Sequence, residues 1–188
     1  AFVPQNFDGF LALAVDDYKT LEDNFKQFSR FKNIPLPEIN FDPLSAIDEI
    51  AWLNLQDNKA LFFHLTNNEN INPILFSNSE SKGSYRGLEL FNQKLPQDLL
   101  ALIEVYGTPI NPKWGVQLEE FLIFTENETF LKQIIGDHLD GKTLANDLNF
   151  KNLNEDLADN STFLWLGRTK NLISIWNENL ENSKNAWK

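Results

Sequence analysis

Two histidines, His64 and His138, set among 27 acidic residues, supply what proton-transfer chemistry this chain can offer. A serine nucleophile would need one of these rings as its base, itself oriented by a carboxylate. The glycine-flanked elbow that presents such a serine is absent, because Gly83-Ser84-Tyr85-Arg86-Gly87 spaces its glycines wrongly. His64 falls inside an apolar run and reads as a strand residue with a satisfied ring. His138 falls at the end of a helical pattern, where the helix dipole favours an imidazolium. Asp137-His138-x-Asp140-Gly141 has metal-ligand residue types, but neighbours along a helix do not share a face, and the calcium-loop positions are not filled. It reads as a helix end with a glycine stop. Glu119 and Glu120 are adjacent, so on a strand they point to opposite sides and cannot alone form a glycosidase pair. Gly141-Lys142-Thr143 ends like a phosphate loop without its upstream glycine or preceding strand, and reads as a turn. No catalytic, metal or cofactor site is expected.

Recognition by an exposed aromatic is the remaining chemistry. The chain has five tryptophans. Trp52 and Trp165 fall in strand patterns and Trp176 on a helical stripe, so these three read as core. Trp114, in the loop Asn111-Pro112-Lys113-Trp114-Gly115, is the candidate binding residue for a glycan or peptide. Asn127-Glu128-Thr129 and Asn160-Ser161-Thr162 match glycosylation sequons, as chance allows in an Asn-rich chain.

The elements that must position these residues follow from composition and periodicity. The 188 residues are 42% hydrophobic and 23% charged, with a formal net charge of −11. That is enough chain and apolar content for one domain with a real core. The acidic balance argues against nucleic-acid binding, which needs a basic face. No window is apolar for long enough to span a membrane. Methionine is absent, and so is cysteine, which removes thiol catalysis, disulfides and cysteine-held metals. The missing methionine is read as marking an excerpt or mature part of a longer chain, residues 1–188 forming a single domain.

Phe10 to Val15 is a short apolar run between Asp8-Gly9 and Asp16-Asp17, the length of a buried strand. Asp16 or Asp17 suits a helix cap, and Tyr18, Leu21, Phe25 and Phe28 then form one helical stripe. Ala51–Leu55 and Ala60–Leu65 read as a hairpin around Gln56-Asp57-Asn58-Lys59. Ser77 to Ser84 reads as a loop, and Tyr85 to Phe91 as one half-buried strand. Leu99 to Tyr106 is read as strand from Ala101 onward, and Gly107 to Gly115 as a loop. Phe121–Phe124 is a strand, followed by a capping box in which Thr125 caps the helix and Glu128 reaches back. Its helix carries Phe130, Leu131, Ile134 and Ile135, and ends near Gly136 or Gly141. Phe150, Leu153 and Leu157 mark a further helix capped by Asp147 or Asn149. Phe163–Leu166 is a last strand, with a helix carrying Leu172, Ile173, Trp176 and Leu180 after it. Three strand–helix units thus recur, near Phe10, Phe121 and Phe163. The expected fold is α+β, a largely antiparallel sheet with helices mainly on one face.

The run from Phe121 to Leu166 resembles an uncharacterised family of bacterial extracytoplasmic domains. The residues that carry the likeness are Phe124-Thr125-Glu126-Asn127-Glu128, then Gly141-Lys142-Thr143-Leu144-Ala145-Asn146-Asp147 with Phe150, then Asn160-Ser161-Thr162-Phe163-Leu164-Trp165-Leu166. The resemblance covers about half the chain and implies an envelope location with a membrane or lipid anchor outside this segment; it implies no catalytic residues. The expectation is a non-enzymatic interaction or scaffolding domain with a protein or glycan partner. A carboxylate-based hydrolase, or a carbohydrate- or peptide-binding module using Trp114, are the alternatives.

Overall fold

A computed structural model describes residues 2–32, 46–66, 79–92, 94–95, 99–100, 103, 109–155 and 162–168. Eight strands form one sheet: β1 Gly9–Ala14, β2 Ile47–Leu55, β3 Asn58–Leu65, β4 Glu80–Tyr85, β5 Leu88–Asn92, β6 Trp114–Leu118, β7 Phe121–Thr125 and β8 Phe163–Gly167. The spatial order is β4-β5-β6-β7-β3-β2-β1-β8, and every neighbouring pair is antiparallel. The fold is therefore α+β with a large antiparallel sheet, as the strand patterns predict. Among the described residues it is accompanied by the helices α1 Tyr18–Lys32, α2 Glu128–Leu139 and α3 Leu148–Glu155, by a 3-10 turn at Leu144–Asn146 and by helical residues at Leu99, Leu100 and Ile103.

Period-two alternation gives the sheet two apolar faces. Ala12, Ala51, Phe62 and Ile123 stand in register across β1, β2, β3 and β7, and their face buries Phe130, Leu131, Ile134 and Ile135 of α2. Leu13, Ile50, Phe63 and Leu122 stand in register on the other face, against Tyr18 and Leu21 of α1 and against Leu99 and Ile103. Helices thus lie against both faces, whereas the sequence reading placed them mainly on one. The central strands β2, β3 and β7 are apolar on both sides, so each face needs its own cover.

Several local expectations shift. The β2–β3 turn is tighter than the four polar residues suggest: Gln56 alone takes a positive φ of 54° there, and Asn58 and Lys59 already belong to β3. The Tyr85–Phe91 run is not one strand, because Arg86 and Gly87 take φ of 51° and 87° and turn β4 back on β5. Part of the expected Ser77–Ser84 loop is accordingly β4. Ile103 is helical where strand was expected from Ala101 onward, as are Leu99 and Leu100 before it, and the four-residue spacing puts Leu99 and Ile103 on one buried face. Trp114 and Gly115 open β6 instead of closing a loop.

The cap of α2 also differs. Asn127, with extended backbone, accepts the Thr129 N–H at 2.8 Å, while Thr125 stays in β7 and donates its hydroxyl to the Asn127 carbonyl at 2.9 Å. Pairing with Ala60 and Trp114 holds Thr125 in the sheet, so the cap falls to the next residue with a short polar side chain. Asp17 caps α1, accepting from the Lys19 N–H at 2.9 Å and from the Thr20 hydroxyl at 2.6 Å. Asp147 caps α3 through the Asn149 and Phe150 N–H groups. Gly141, at φ of 70°, ends α2 as the glycine stop predicts. The side chains of Phe25 and Phe28, residue Leu157 and the helix expected after Phe163–Leu166 lie outside the described residues, as does the Ile71–Phe76 run, which reads as a helical turn or a short strand.

Candidate functional site

The sheet's hollow begins with two small residues. Ala12 of β1 pairs with Ala51 of β2 on the α2 face, so the floor sinks where neighbouring strands carry larger side chains. Phe10 and Ala12, Ala51, Phe62, Phe121, Leu164 and Leu166 make that floor and its edges. Leu144 and Ala145 of the 3-10 turn, with Phe150 and Lys151 of α3, close it from above. Phe2 and Val3 form a wall, anchored by the Leu144 N–H to the Val3 carbonyl at 2.8 Å and by a bridge between Pro4 and Thr143. The resulting cavity has a volume of about 690 Å³, within the range of small-molecule sites, about 300–1,000 Å³. Its lining is mainly apolar and includes five phenylalanines, Phe2, Phe10, Phe62, Phe121 and Phe150.

Among the described residues two ionisable side chains line it, those of Glu49 and Lys151. Lys151 sits exposed on α3, where its ammonium stays in water, whereas Glu49 is half-buried on strand β2. Burial pushes the Glu49 carboxyl above its ordinary value; His64 works against that shift and Asp48 with it.

Glu49 faces His64 across the β2–β3 pair. Between Ile47 and Glu49 the register slips by one residue, so Asp48 is the extra residue of a bulge. Such a bulge redirects a side chain, and here it brings the Asp48 carboxylate to His64 Nδ1 at 2.5 Å. On the other side of the ring, Nε2 meets Glu120 at 3.4 Å. Burial draws the His64 pKa down, but the Asp48 hydrogen bond and charge, with help from Glu120 and Glu49, outweigh it and leave the value raised. His64 also packs on Phe121, with ring centroids 4.7 Å apart, and Phe121 on Phe2 at 4.3 Å. The imidazole is thereby tied to the cavity wall.

The sequence candidates distribute as follows. Glu119 and Glu120 lie in the β6–β7 turn, not on a strand, and each takes one histidine: Glu120 meets His64, and Glu119 meets His138 Nε2 at 3.4 Å. His138 lies in the last turn of α2, stacked on Phe2 with centroids 4.3 Å apart. Asp140 pairs with Arg86 at 2.8 Å, and that bond holds its carboxyl below the usual range. Trp52 is buried as expected, but Trp165 is 49% exposed on the edge strand β8, not in the core. Trp114 is half-buried at the start of β6, packs against the α2-face core, and does not line the cavity. Among the described residues no group of three or more metal-ligating side chains forms, and no helix is long and apolar enough to cross a membrane.

Sequence reading missed the cavity because its floor is a cross-strand coincidence of two alanines. Asp48 and Glu49 carried one available signal, two adjacent carboxylates between Ile47 and Ile50 at the start of a largely apolar strand. Comparisons with protein-family models, with curated proteins and with solved structures find no match for the chain.

Proposed function

We propose that this chain is a non-enzymatic binding domain of a bacterial envelope protein, and that its ligand seat is the apolar cavity between the sheet and α3. The carrying observation is the cavity itself: about 690 Å³ of concave, phenylalanine-rich space with one half-buried carboxyl at its floor. Concave apolar sites with few polar groups are how proteins hold small apolar molecules. A carboxylate hydrolase would need two carboxyls converging in one cleft, and among the described residues this cavity is lined by one, Glu49. The envelope location rests on the resemblance of Phe121–Leu166 to extracytoplasmic domains.

A neutral apolar fluorophore such as Nile red tests the seat. Its emission should rise with saturable binding, and Ala51→Leu, which fills the floor, should abolish the rise while the far-UV circular dichroism stays unchanged. Undiminished binding to the filled variant overturns the assignment. Fractionation of cells producing the full reading frame tests the location, and recovery in the cytosol overturns that part.

A further inference from the structure

Resting on the cavity as the ligand seat, we propose that its ligand is a hydrophobic organic cation: an amine or quaternary ammonium with an alkyl or aryl body, its charge set against Glu49. Charge and ring placement carry the choice. Glu49 is fixed on the sheet floor, and among the described residues no hydrogen bond to its carboxyl is formed. Around it stand Asp48 and Glu120, both on His64. Three carboxylates about one imidazole leave this end of the cavity negative whether or not the ring carries a proton. An anionic head would have to enter that field, and among the described residues that line the cavity the exposed Lys151 is the one basic side chain to meet it.

Phenylalanine faces add to the same preference. A ring face is the negative pole of the aromatic quadrupole, so it attracts a cation that is too weakly hydrated to stay in water. Phe121 lies against His64, the residue opposite Glu49, and Phe2 lies against Phe121. Apolar body and charge therefore find their counterparts in one space: Ala12, Ala51, Leu164 and Leu166 for the chain, Glu49 and the adjoining rings for the head. The −11 net charge steers the same class of molecule toward the surface.

Three probes with one tail test this on the whole chain, below their micelle-forming concentrations: decyltrimethylammonium, decan-1-ol and decanoate, followed by isothermal titration calorimetry. The cation should bind about tenfold or more tighter than the alcohol, and decanoate weakest. Glu49→Gln should erase the preference for the cation and leave decanol affinity unchanged, which also shows the variant folded. Ala51→Leu, or Ala12→Leu should the first fail to fold, keeps every surface charge and should lose the cation. Equal or tighter binding of decanol or decanoate overturns the cationic ligand while the cavity reading stands. Retention of the cation by a filled variant assigns it to the acidic surface and overturns the proposal. Failure of all three probes overturns the cavity reading and this one with it.

Discussion

His64 Nδ1 and Asp48 Oδ1 stand 2.5 Å apart because β2 carries one residue more than β3 at that point. Without the bulge, Asp48 would alternate to the opposite face and the ring would keep Glu120 as its carboxylate hydrogen-bond partner, with Glu49 opposite it in the sheet. The extra residue puts two consecutive acids of β2 beside one imidazole, next to the wall of the cavity.

That arrangement makes stability depend on pH in a defined sense. His64 binds its proton more tightly in the folded chain than at its ordinary value of 6.5, so the folded state holds more protons than the unfolded one. The stabilisation is complete below that value and is lost as pH rises through the folded-state pKa. Urea midpoints should therefore increase on acidification through the near-neutral range. His64→Gln should flatten the dependence and cost about 0.5–1.5 kcal/mol at the acidic end. A midpoint that rises with pH across this window would contradict the assignment.

Glu49 acts with the same sign in a lower window. Its folded-state value is raised from 4.5, so its contribution is present below that value and disappears as the carboxyl ionises. At neutral pH the half-buried charge opposes folding. Glu49→Gln should be more stable than the parent chain at pH 7 and no more stable at pH 4, by thermal or urea unfolding.

The α2 cap separates two readings of one short segment. Asn127→Ala removes the acceptor of the Thr129 N–H and should cost about 1 kcal/mol. Glu128→Ala loses only an exposed pairing with Lys132 and should cost about 0.3–0.5 kcal/mol. A reversed ranking would restore the capping box around Thr125.

Gly115 and Phe91 face each other across β5 and β6. A Cβ on Gly115 would stand 2.2 Å from Cε2 of the Phe91 ring, which is buried against Phe124 at a centroid distance of 6.0 Å. Gly115→Ala should thus destabilise by about 1–3 kcal/mol through displacement of that ring. The double variant with Phe91→Leu should recover part of the loss, which a double-mutant cycle measures.

How far the sequence reaches depends on the range of the signal. Elements written in a continuous apolar run, such as β1, β7 and β8, are legible because their own residues specify them. The caps at Asp17 and Asp147 are legible for the same reason. Trp114 to Leu118 was not, because the prolines and glycines before it outweighed a strand that exists by pairing with β5 and β7. Trp165 looked like core since it lies in an apolar strand, but β8 is an edge and its side chain faces outward. The candidate site lay furthest out of reach. Ala12 and Ala51 are unremarkable separately, and Asp48 meets His64 only through a slip in register.

The strand order has a kinetic consequence. β1 finds its second partner only in β8, with Gly9 opposite Gly167, and β3 finds its second partner only in β7. While the chain is being synthesised, β1, β2 and β3 can pair among themselves, yet both outer edges of that three-stranded ribbon stay open until the later strands emerge. Unpaired edges are templates for other chains, and pairings this distant form slowly. The nascent chain therefore keeps the apolar β1 and β3 edges exposed until β8 and β7 pair with them, which moves the sheet's edges out to β8 and β4.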